Sequence, residues 1–345
     1  MAVSEARASA ILVAAAAVCF GTTGTAQALG GAGASALSLG AARVVFGGAL
    51  LALIAVAVGV RGGRSGEWMP RPTSRAASSA AGHPLRLIAP LGLVVIGALG
   101  VAAYQPAFFT GTSQNGVAVG TLVALGSAPV LTGLLEWAVW RKAPGRRWAI
   151  ATGVAALGVA ALSGVFAEAF GGAGGAGGVS SAGGAGSISV AGLFASLAAG
   201  LCYAVYALSS KALLERGYSP TMTMGATFGV AALVMVPVLV GSDLAWLVTP
   251  RGALTVGWLA IVTTGLAYTL FARGLKNLAA SRAATLTLIE PLTATALGIA
   301  VLHEQFTLSS AIGVALLTAG LAILTVSRRG SRANAFVSPV SGEGV

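Results

Sequence analysis

The chain of 345 residues is 56% apolar and only 8% charged, and its mean hydropathy of +0.89 is typical of a protein whose main solvent is lipid. This composition excludes an ordinary soluble domain. The formal charge of +11 does not indicate nucleic-acid binding, because the basic residues occur in short runs between apolar stretches and form no basic soluble segment.

Ten apolar segments are long enough to cross a bilayer as helices, which takes about 20 residues for a hydrocarbon core of about 30 Å. In chain order they are residues 8–29, 36–60, 87–108, 116–140, 148–166, 188–210, 221–240, 253–272, 283–302 and 308–326. The polar tail at 328–345 is predicted to be disordered and cytoplasmic. The sequence therefore predicts an all-α membrane protein with ten transmembrane helices.

Lys and Arg in short loops set the orientation, because these residues are retained on the cytoplasmic side during insertion. With the N-terminus inside, eighteen of the twenty basic residues fall in cytoplasmic segments, and the exceptions are Arg251 in an outer loop and Arg43 in the second span. The predicted outer loops carry Glu168, Asp243, His303 and Glu304. We expect a multi-pass protein of the cytoplasmic (inner) membrane with both termini in the cytoplasm.

The Gly-rich stretch 171–187 has no apolar periodicity and is typical of a flexible linker. It separates a first five-helix repeat, residues 1–170, from a second one, residues 188–327. Pro129 in the fourth span corresponds to Pro291 in the ninth, 162 positions later. Because five is an odd number of spans, the second half must cross the membrane in the reverse sense. Two inverted five-helix repeats are typical of secondary transporters.

A family resemblance rests on the last two spans. Residues 281–327 resemble the carboxy-terminal half of the EamA repeat, the module of the ten-span drug/metabolite transporter superfamily. The matching pieces are Glu290-Pro291, the small-residue helix after them, the Glu304 turn, Gly313 and Gly320. Residues 116–163 are similar to the same half-repeat through Pro129, Gly153 and Gly158. The resemblance implies export or exchange of small metabolites, such as amino acids, their derivatives or amphiphilic drugs.

Two features depart from the family pattern. Arg141-Lys142 stand where the first repeat of the family has an acidic loop residue, which argues against a role for such an acid in this half. The long Gly-rich linker is also unusual, and we expect it to affect only the tethering of the two halves.

Glu290 is the main candidate for the transport chemistry. A carboxyl group within a span usually faces the bundle interior or a water-filled cavity, and Glu290 lies about 10–11 Å from the inner end of its span. Pro291 has no N–H and leaves a carbonyl free in the preceding turn. Together the two groups could receive an amino group or a proton. Alternatively, Glu290 is protonated and hydrogen-bonded to a neighbouring Ser or Thr as a link between helices.

Two other charged residues lie within spans. Arg43 is about eight residues from the outer end of the second span, so its side chain either reaches the headgroups or provides a cationic contact for a substrate carboxylate or for Glu290. Glu136 lies one turn from an inner loop, and we expect it to pair with Arg141 or another basic residue there.

Polar and aromatic side chains at mid-depth complete the predicted substrate pathway, although each residue taken singly is more often part of helix packing than a ligand contact. These residues are Phe20, Ser127, Tyr203, Tyr206, Thr264 and Thr293. Tyr104 and Gln105, near the outer end of the third span, are candidate gate residues, with Pro129 and Pro291 as structural elements of the pathway.

Signatures of an enzyme are missing from the sequence. The two histidines, His83 and His303, lie in loops, and no carboxylate pair accompanies them. Cys19 and Cys202 lie in spans without metal-ligand spacing. We therefore expect no cofactor, no metal and no enzymatic activity, and the absence of a phosphate-binding loop leaves a proton or the substrate gradient as the driving force.

The leading hypothesis is a secondary transporter that works by alternating access on a small-molecule substrate within the lipid bilayer. An uncoupled channel or facilitator is the first alternative, although no ring of charges or filter loop is visible. A membrane-embedded enzyme or scaffold is the second. The oligomeric state, the substrate and the direction of transport stay open at this point.

Overall fold

The computed structural model describes residues 2–30, 33–61, 85, 88–141, 143–163, 189–303 and 305–325. Within these ranges the regular structure is helical and contains no strand. The predicted linker (171–187) and tail (328–345) lie outside the described residues, as do His83, Lys142, Glu168 and Glu304.

The described residues form ten apolar helices close to the predicted spans. They are α1 (Ala2–Gly30), α2 (Ala36–Arg61), α3 (Pro90–Gly116), α4 (Val119–Trp140), α5 (Arg146–Leu162), α6 (Val190–Glu215), α7 (Pro220–Val240), α8 (Pro250–Leu275), α9 (Ala280–Leu302) and α10 (Leu308–Thr325). Nine of these have at least 18 residues and are apolar enough to cross a membrane, and α5 has 17. A multi-pass, all-α architecture is thus confirmed.

Side-chain caps explain where three helices of the second half begin. The side chains of Ser189, Ser219 and Thr249 each accept a hydrogen bond from a backbone N–H in the first turn of α6, α7 and α8. Pro220 and Pro250 follow two of these caps, at helix positions whose N–H would have no acceptor in any case. The starts of these helices are therefore encoded locally.

The connection between α3 and α4 differs from the predicted loop. The helical path runs from Pro90 to Trp140, and Gly116 is the residue inside it with non-helical angles, at φ 78° and ψ 157°. This positive φ is strained for a residue with a Cβ but accessible to glycine. A break at one glycine therefore replaces the loop predicted between residues 108 and 116.

The main contacts between helices are symmetric, because each of them has a counterpart when the two halves are exchanged. Helix α1 packs on α8 and α9, and its counterpart α6 packs on α3 and α4. Helix α2 packs on its own counterpart α7, and α5 on α10. Such paired contacts are what a two-fold relation between α1–α5 and α6–α10 requires.

Close helix approaches show the same relation at atomic detail. A Cβ on Gly158 of α5 would lie 2.5 Å from the Leu317 nitrogen of α10, and a Cβ on Gly320 would lie 2.8 Å from the Ala155 nitrogen. Gly158 and Gly320 are 162 positions apart, as are Ala155 and Leu317. Small residues permit this contact between backbones in lipid, and the two halves use them in the same register.

The crossing of α2 and α7 reveals the direction of the repeats. Gly48 lies against the Phe228 carbonyl and Gly225 against the Leu51 carbonyl, again with a constant offset, here of 177 positions. Along α2 the contacts advance from 48 to 51 while along α7 they recede from 228 to 225. Corresponding helices are therefore antiparallel, which confirms the predicted inverted repeats.

Candidate functional site

A cavity lies between the two halves at the centre of the bundle. Its walls come from α1, α2, α3 and α4 of the first half and from α6, α7, α8 and α9 of the second. The fifth helix of each half, α5 or α10, contributes no lining residue in the part of the chain that the structure describes. Corresponding helices thus build the cavity from both sides.

Ten of the twelve residues predicted for the pathway line this cavity. They are Phe20, Arg43, Tyr104, Gln105, Pro129, Tyr203, Tyr206, Thr264, Glu290 and Pro291. Residues from seven predicted spans therefore surround one cavity, and the depth of each residue in its own helix did not by itself predict that they would meet.

Ser127 and Thr293 lie beside the cavity and are used in helix packing. The Ser127 hydroxyl donates to the Ala124 carbonyl at 3.3 Å and contacts Gly200 of α6. The Thr293 hydroxyl donates to the Ile289 carbonyl at 3.2 Å, and its Cβ lies against Gly21 of α1. Their hydroxyls bond to their own helices, their side chains fill tight contacts with a neighbouring helix, and neither residue is among those that line the cavity.

Arg43 points into the bundle and not towards the headgroups. Its Nη2 donates to the Thr263 carbonyl at 3.1 Å, and its Nε donates to the Thr264 hydroxyl at 3.4 Å. The guanidinium carbon lies 6.0 Å from the centroid of the Phe20 ring, at the outer limit of a cation–π contact. The interior alternative for Arg43 is therefore the one that the structure adopts.

A π-helical turn in α8 provides the acceptors for Arg43. The turn spans Ile261–Leu266, and such turns often occur at functional sites because they disturb the regular i→i+4 ladder. The hydroxyls of Thr263 and Thr264 both donate to the Leu259 carbonyl at 2.9 Å. The N–H of Ala267, which would bond to the Thr263 carbonyl in a regular α-helix, donates to the carbonyls on either side of it instead. The Thr263 carbonyl is therefore available to the guanidinium.

A break in α9 positions Glu290. The helix consists of Ala280–Leu286 and Ile289–Leu302, and the Glu290 N–H donates to the Thr287 carbonyl at 2.9 Å. Pro291, the residue that would bond to this carbonyl in a regular helix, has no N–H. Glu290 consequently lies in the first turn of the second segment, where the helix dipole favours a negative charge.

The carboxylate of Glu290 faces the cavity. Among the described residues, no Ser or Thr hydroxyl donates a hydrogen bond to it; Thr287, Thr293 and Thr295 donate to carbonyls of their own helix. The alternative of a link between helices is thus not what the structure shows. The carboxylate is left to bind water, a proton or a ligand.

Aromatic side chains form one wall of the cavity. Tyr268 lies at the centre of this group, with its ring 4.9 Å from that of Phe20, 4.2 Å from that of Phe228 and 6.0 Å from that of Tyr206. The sequence interpretation missed Tyr268, although it stands one helical turn after Thr264 and therefore shares its face.

Two tyrosines of α6 differ in how their hydroxyls are bonded. The Tyr203 hydroxyl shares a hydrogen bond of 3.3 Å with the Thr287 hydroxyl. The Tyr206 hydroxyl is buried and has no partner among the described residues. A buried polar group without a partner costs about 1–3 kcal/mol, so a ligand that accepts a hydrogen bond from Tyr206 would recover this loss.

Glu136 contacts a different partner from the one expected. Its two carboxylate oxygens accept the N–H groups of Ala280 and Ser281 at 3.0 and 2.9 Å. The first N–H groups of a helix have no acceptor within that helix. At the start of α9 the negatively charged carboxylate of Glu136, from α4, is their acceptor. The predicted pairing of Glu136 with Arg141 or another basic residue of the inner loop is therefore wrong.

Comparison with known proteins agrees with the fold and with its division into two halves. The model of the EamA-like transporter family matches residues 7–164 and 190–326, once in each half. The chain is 37% identical over 310 residues to Uncharacterized transporter YwfM of Bacillus subtilis (strain 168), which covers 90% of this chain and 91% of that protein. A solved crystal structure with 20% identity has the same fold, with a TM-score of 0.68 over 92% of this chain and 98% of the other. The chain is a multi-pass membrane transporter that belongs to the EamA-like transporter family.

Proposed function

We propose that this transporter carries small metabolites with an amino group, above all zwitterions such as amino acids and their derivatives, across the cytoplasmic membrane by alternating access. The observation that supports the proposal most directly is the cavity between the inverted halves, with Arg43 and Glu290 on its wall. An inverted repeat can pack in two equivalent ways, each of which exposes a central site to a different side.

The charges and rings of the cavity support the choice of substrate class. The guanidinium of Arg43 binds a carboxylate through planar N–H groups, and only part of its donors are bonded to α8. Glu290 accepts an amino group or a proton. The wall of Phe20, Tyr206 and Tyr268 accommodates an apolar or cationic portion. Drug-like amphiphilic amines fit the same features and belong to the proposed range.

The driving force that we propose is a proton or substrate gradient. The sequence contains no phosphate-binding Gly-Lys-Ser/Thr motif, which ATP-driven transport would need. Glu290 is the candidate proton carrier, because among the described residues that line the cavity it is the one with a carboxylate.

For the orientation we propose that the end of the bundle with Arg141, Arg147, Lys276 and Arg282 faces the cytoplasm, following the preference of basic residues for that side. Both termini would then be cytoplasmic. Tags inserted in the linker at 171–187 and at His303 should be accessible from outside intact cells. Accessibility of both tags only after permeabilisation would contradict this orientation.

Counterflow in liposomes tests the transport proposal. The purified protein is reconstituted, preloaded with an unlabelled amino acid or amine, and offered the labelled compound outside. Saturable accumulation of label is expected for at least one member of a panel of amino acids, amines and cationic drugs. No counterflow across the panel would refute the proposal, and discrete conductance steps in planar bilayers would favour a channel.

A further inference from the structure

The cavity lies between a wall formed by α3, α4 and α6 and a wall formed by α1, α8 and α9, and these two walls touch at one end of the bundle. The first segment of α9, Ala280–Leu286, packs mainly against α4 and also contacts α1, α5, α6, α8 and α10, and six of its seven residues are buried. The second segment, Ile289–Leu302, packs mainly on α1, and Gly298 is its only buried residue. We call the end with the first segment the basic end, because Arg141, Arg147 and Lys276 lie there.

This closure breaks the exchange symmetry of the bundle. If the two halves had the same conformation, the contact between α4 and the start of α9 would have a symmetry-related contact at the opposite end of the bundle. That contact would join the start of α4 to the end of α9. Among the described residues, α4 makes no comparable contact with Ile289–Leu302 or with α1. The cavity is therefore closed at the basic end, while α4 and α9 stand apart at the other.

The alternative arrangement follows from the same symmetry. Exchanging the conformations of the halves would form the missing contact at the opposite end and separate α4 from α9 at the basic end. This change requires the two hydrogen bonds from Ala280 and Ser281 to the Glu136 carboxylate to break. Hydrogen bonds to a charged group are stronger than neutral ones, so Glu136 opposes the opening.

The opposite end has no equivalent carboxylate. The offset of 162 positions that relates α4 to α9 places Gly298 at the position corresponding to Glu136, and glycine has no side chain to accept a hydrogen bond. The two ends of the cavity therefore differ in how strongly they are held. This difference lies in the sequence and does not depend on the bound substrate.

We propose that Glu136 is the latch that keeps the cavity closed at the basic end, so that opening to that side proceeds by release of the α9 N-terminus. The proposal rests on alternating access as the mode of transport. It assigns to Glu136 a role in the equilibrium between the two arrangements and none in binding substrate, because Glu136 does not line the cavity.

Cysteine labelling tests the latch without a known substrate. In a background with Cys19→Ala and Cys202→Ala, the reporter Ala284→Cys lines the cavity beneath the closed end, where Ala284 is 1% exposed. A membrane-impermeant maleimide is added to vesicles whose outer face carries the basic end. Glu136→Gln, which loses one of the two acceptor oxygens, should increase the labelling rate about tenfold, and Glu136→Ala should increase it further.

A matched control separates the latch from a general effect of lost charge. Glu5 also lies at the basic end, one turn before Ser9, which accepts a hydrogen bond from Asn277, but Glu5 is exposed and has no ion pair or hydrogen bond among the described residues. Glu5→Gln should leave the reporter rate unchanged. A second reporter, Gln105→Cys, lines the cavity nearer the opposite end, and its labelling from that side should decrease in Glu136→Gln.

Parental labelling rates in Glu136→Gln and Glu136→Ala would overturn the latch, whether or not the protein moves solutes. Equal acceleration by Glu5→Gln would overturn it as well. Conversely, faster labelling in the Glu136 variants, in a protein that shows no counterflow, would leave the latch standing and refute the proposed function. Gel filtration of both Glu136 variants identifies folded protein, and the isosteric Gln variant provides the test if the Ala variant does not fold.

Discussion

In the part of the chain that the structure describes, Arg43 and Glu290 line the same cavity but form no ion pair within 4.0 Å of each other. The guanidinium is bonded to α8, and the carboxylate faces open space. Direct pairing would have neutralised both groups, whereas their separation leaves a positive and a negative contact for one ligand. This separation is the basis of the first two predictions.

Replacing Glu290 by Gln should abolish counterflow or uncouple it from a proton gradient, because the amide keeps the shape of the side chain but can neither ionise nor carry a proton. Glu215→Gln is the matched control, since Glu215 lies outside the cavity. Flux is measured with and without an imposed pH gradient. Full coupled flux in Glu290→Gln would remove the carboxylate from the mechanism.

Replacing Arg43 by Lys should increase the KM for a zwitterionic substrate about tenfold, because an ammonium group cannot present the planar pair of donors that bonds to α8 and to a carboxylate. A substrate amine without a carboxylate should show a smaller change. Counterflow at varied substrate concentration checks both. An equal loss for the two substrates would indicate that Arg43 is structural.

Replacing Tyr206 by Phe should weaken substrate binding, because the substrate loses a hydrogen-bond donor. The free energy of unfolding should stay the same or increase by about 1 kcal/mol, because the lost hydroxyl has no partner among the described residues. Tyr203→Phe is the control, since it breaks the bond to Thr287 and should lower stability. Thermal unfolding in detergent and the KM are measured for each variant. A destabilised Tyr206→Phe protein would contradict the prediction.

Replacing Gly158 by Leu should lower the free energy of unfolding by about 1–3 kcal/mol, because the added atoms overlap the α10 backbone at Leu317. Gly153 lies on the same helix, and a Cβ there would meet nothing within 4 Å. Gly153→Leu should therefore be close to neutral. Thermal unfolding in detergent compares the two variants, and equal melting temperatures would show that the α5–α10 crossing is not a tight contact.

Hydropathy and length predicted most of the helices well, because a segment that crosses lipid must form all of its backbone hydrogen bonds within itself. Helix α7, predicted at 221–240, runs from Pro220 to Val240. The effect of each proline on its helix was less predictable. Pro129 and Pro291 occupy corresponding positions, yet α4 continues through Pro129 whereas α9 is broken before Pro291. A proline removes one hydrogen bond in either case, and the surrounding helices decide whether the chain bends.

From hydropathy, parity and the polar or aromatic residues at helix mid-depth, the amino-acid sequence predicted the number of spans, the division into two opposed halves and ten of the residues that line the cavity. The packing of the helices was needed to establish the direction of Arg43, the partner of Glu136, the π-helical turn of α8 and the end at which the cavity is closed. Each of these depends on groups that are far apart in the chain, as Arg43 is from Thr263 and Glu136 from Ala280. Their hydrogen bonds form only after the helices pack, so no local pattern encodes them.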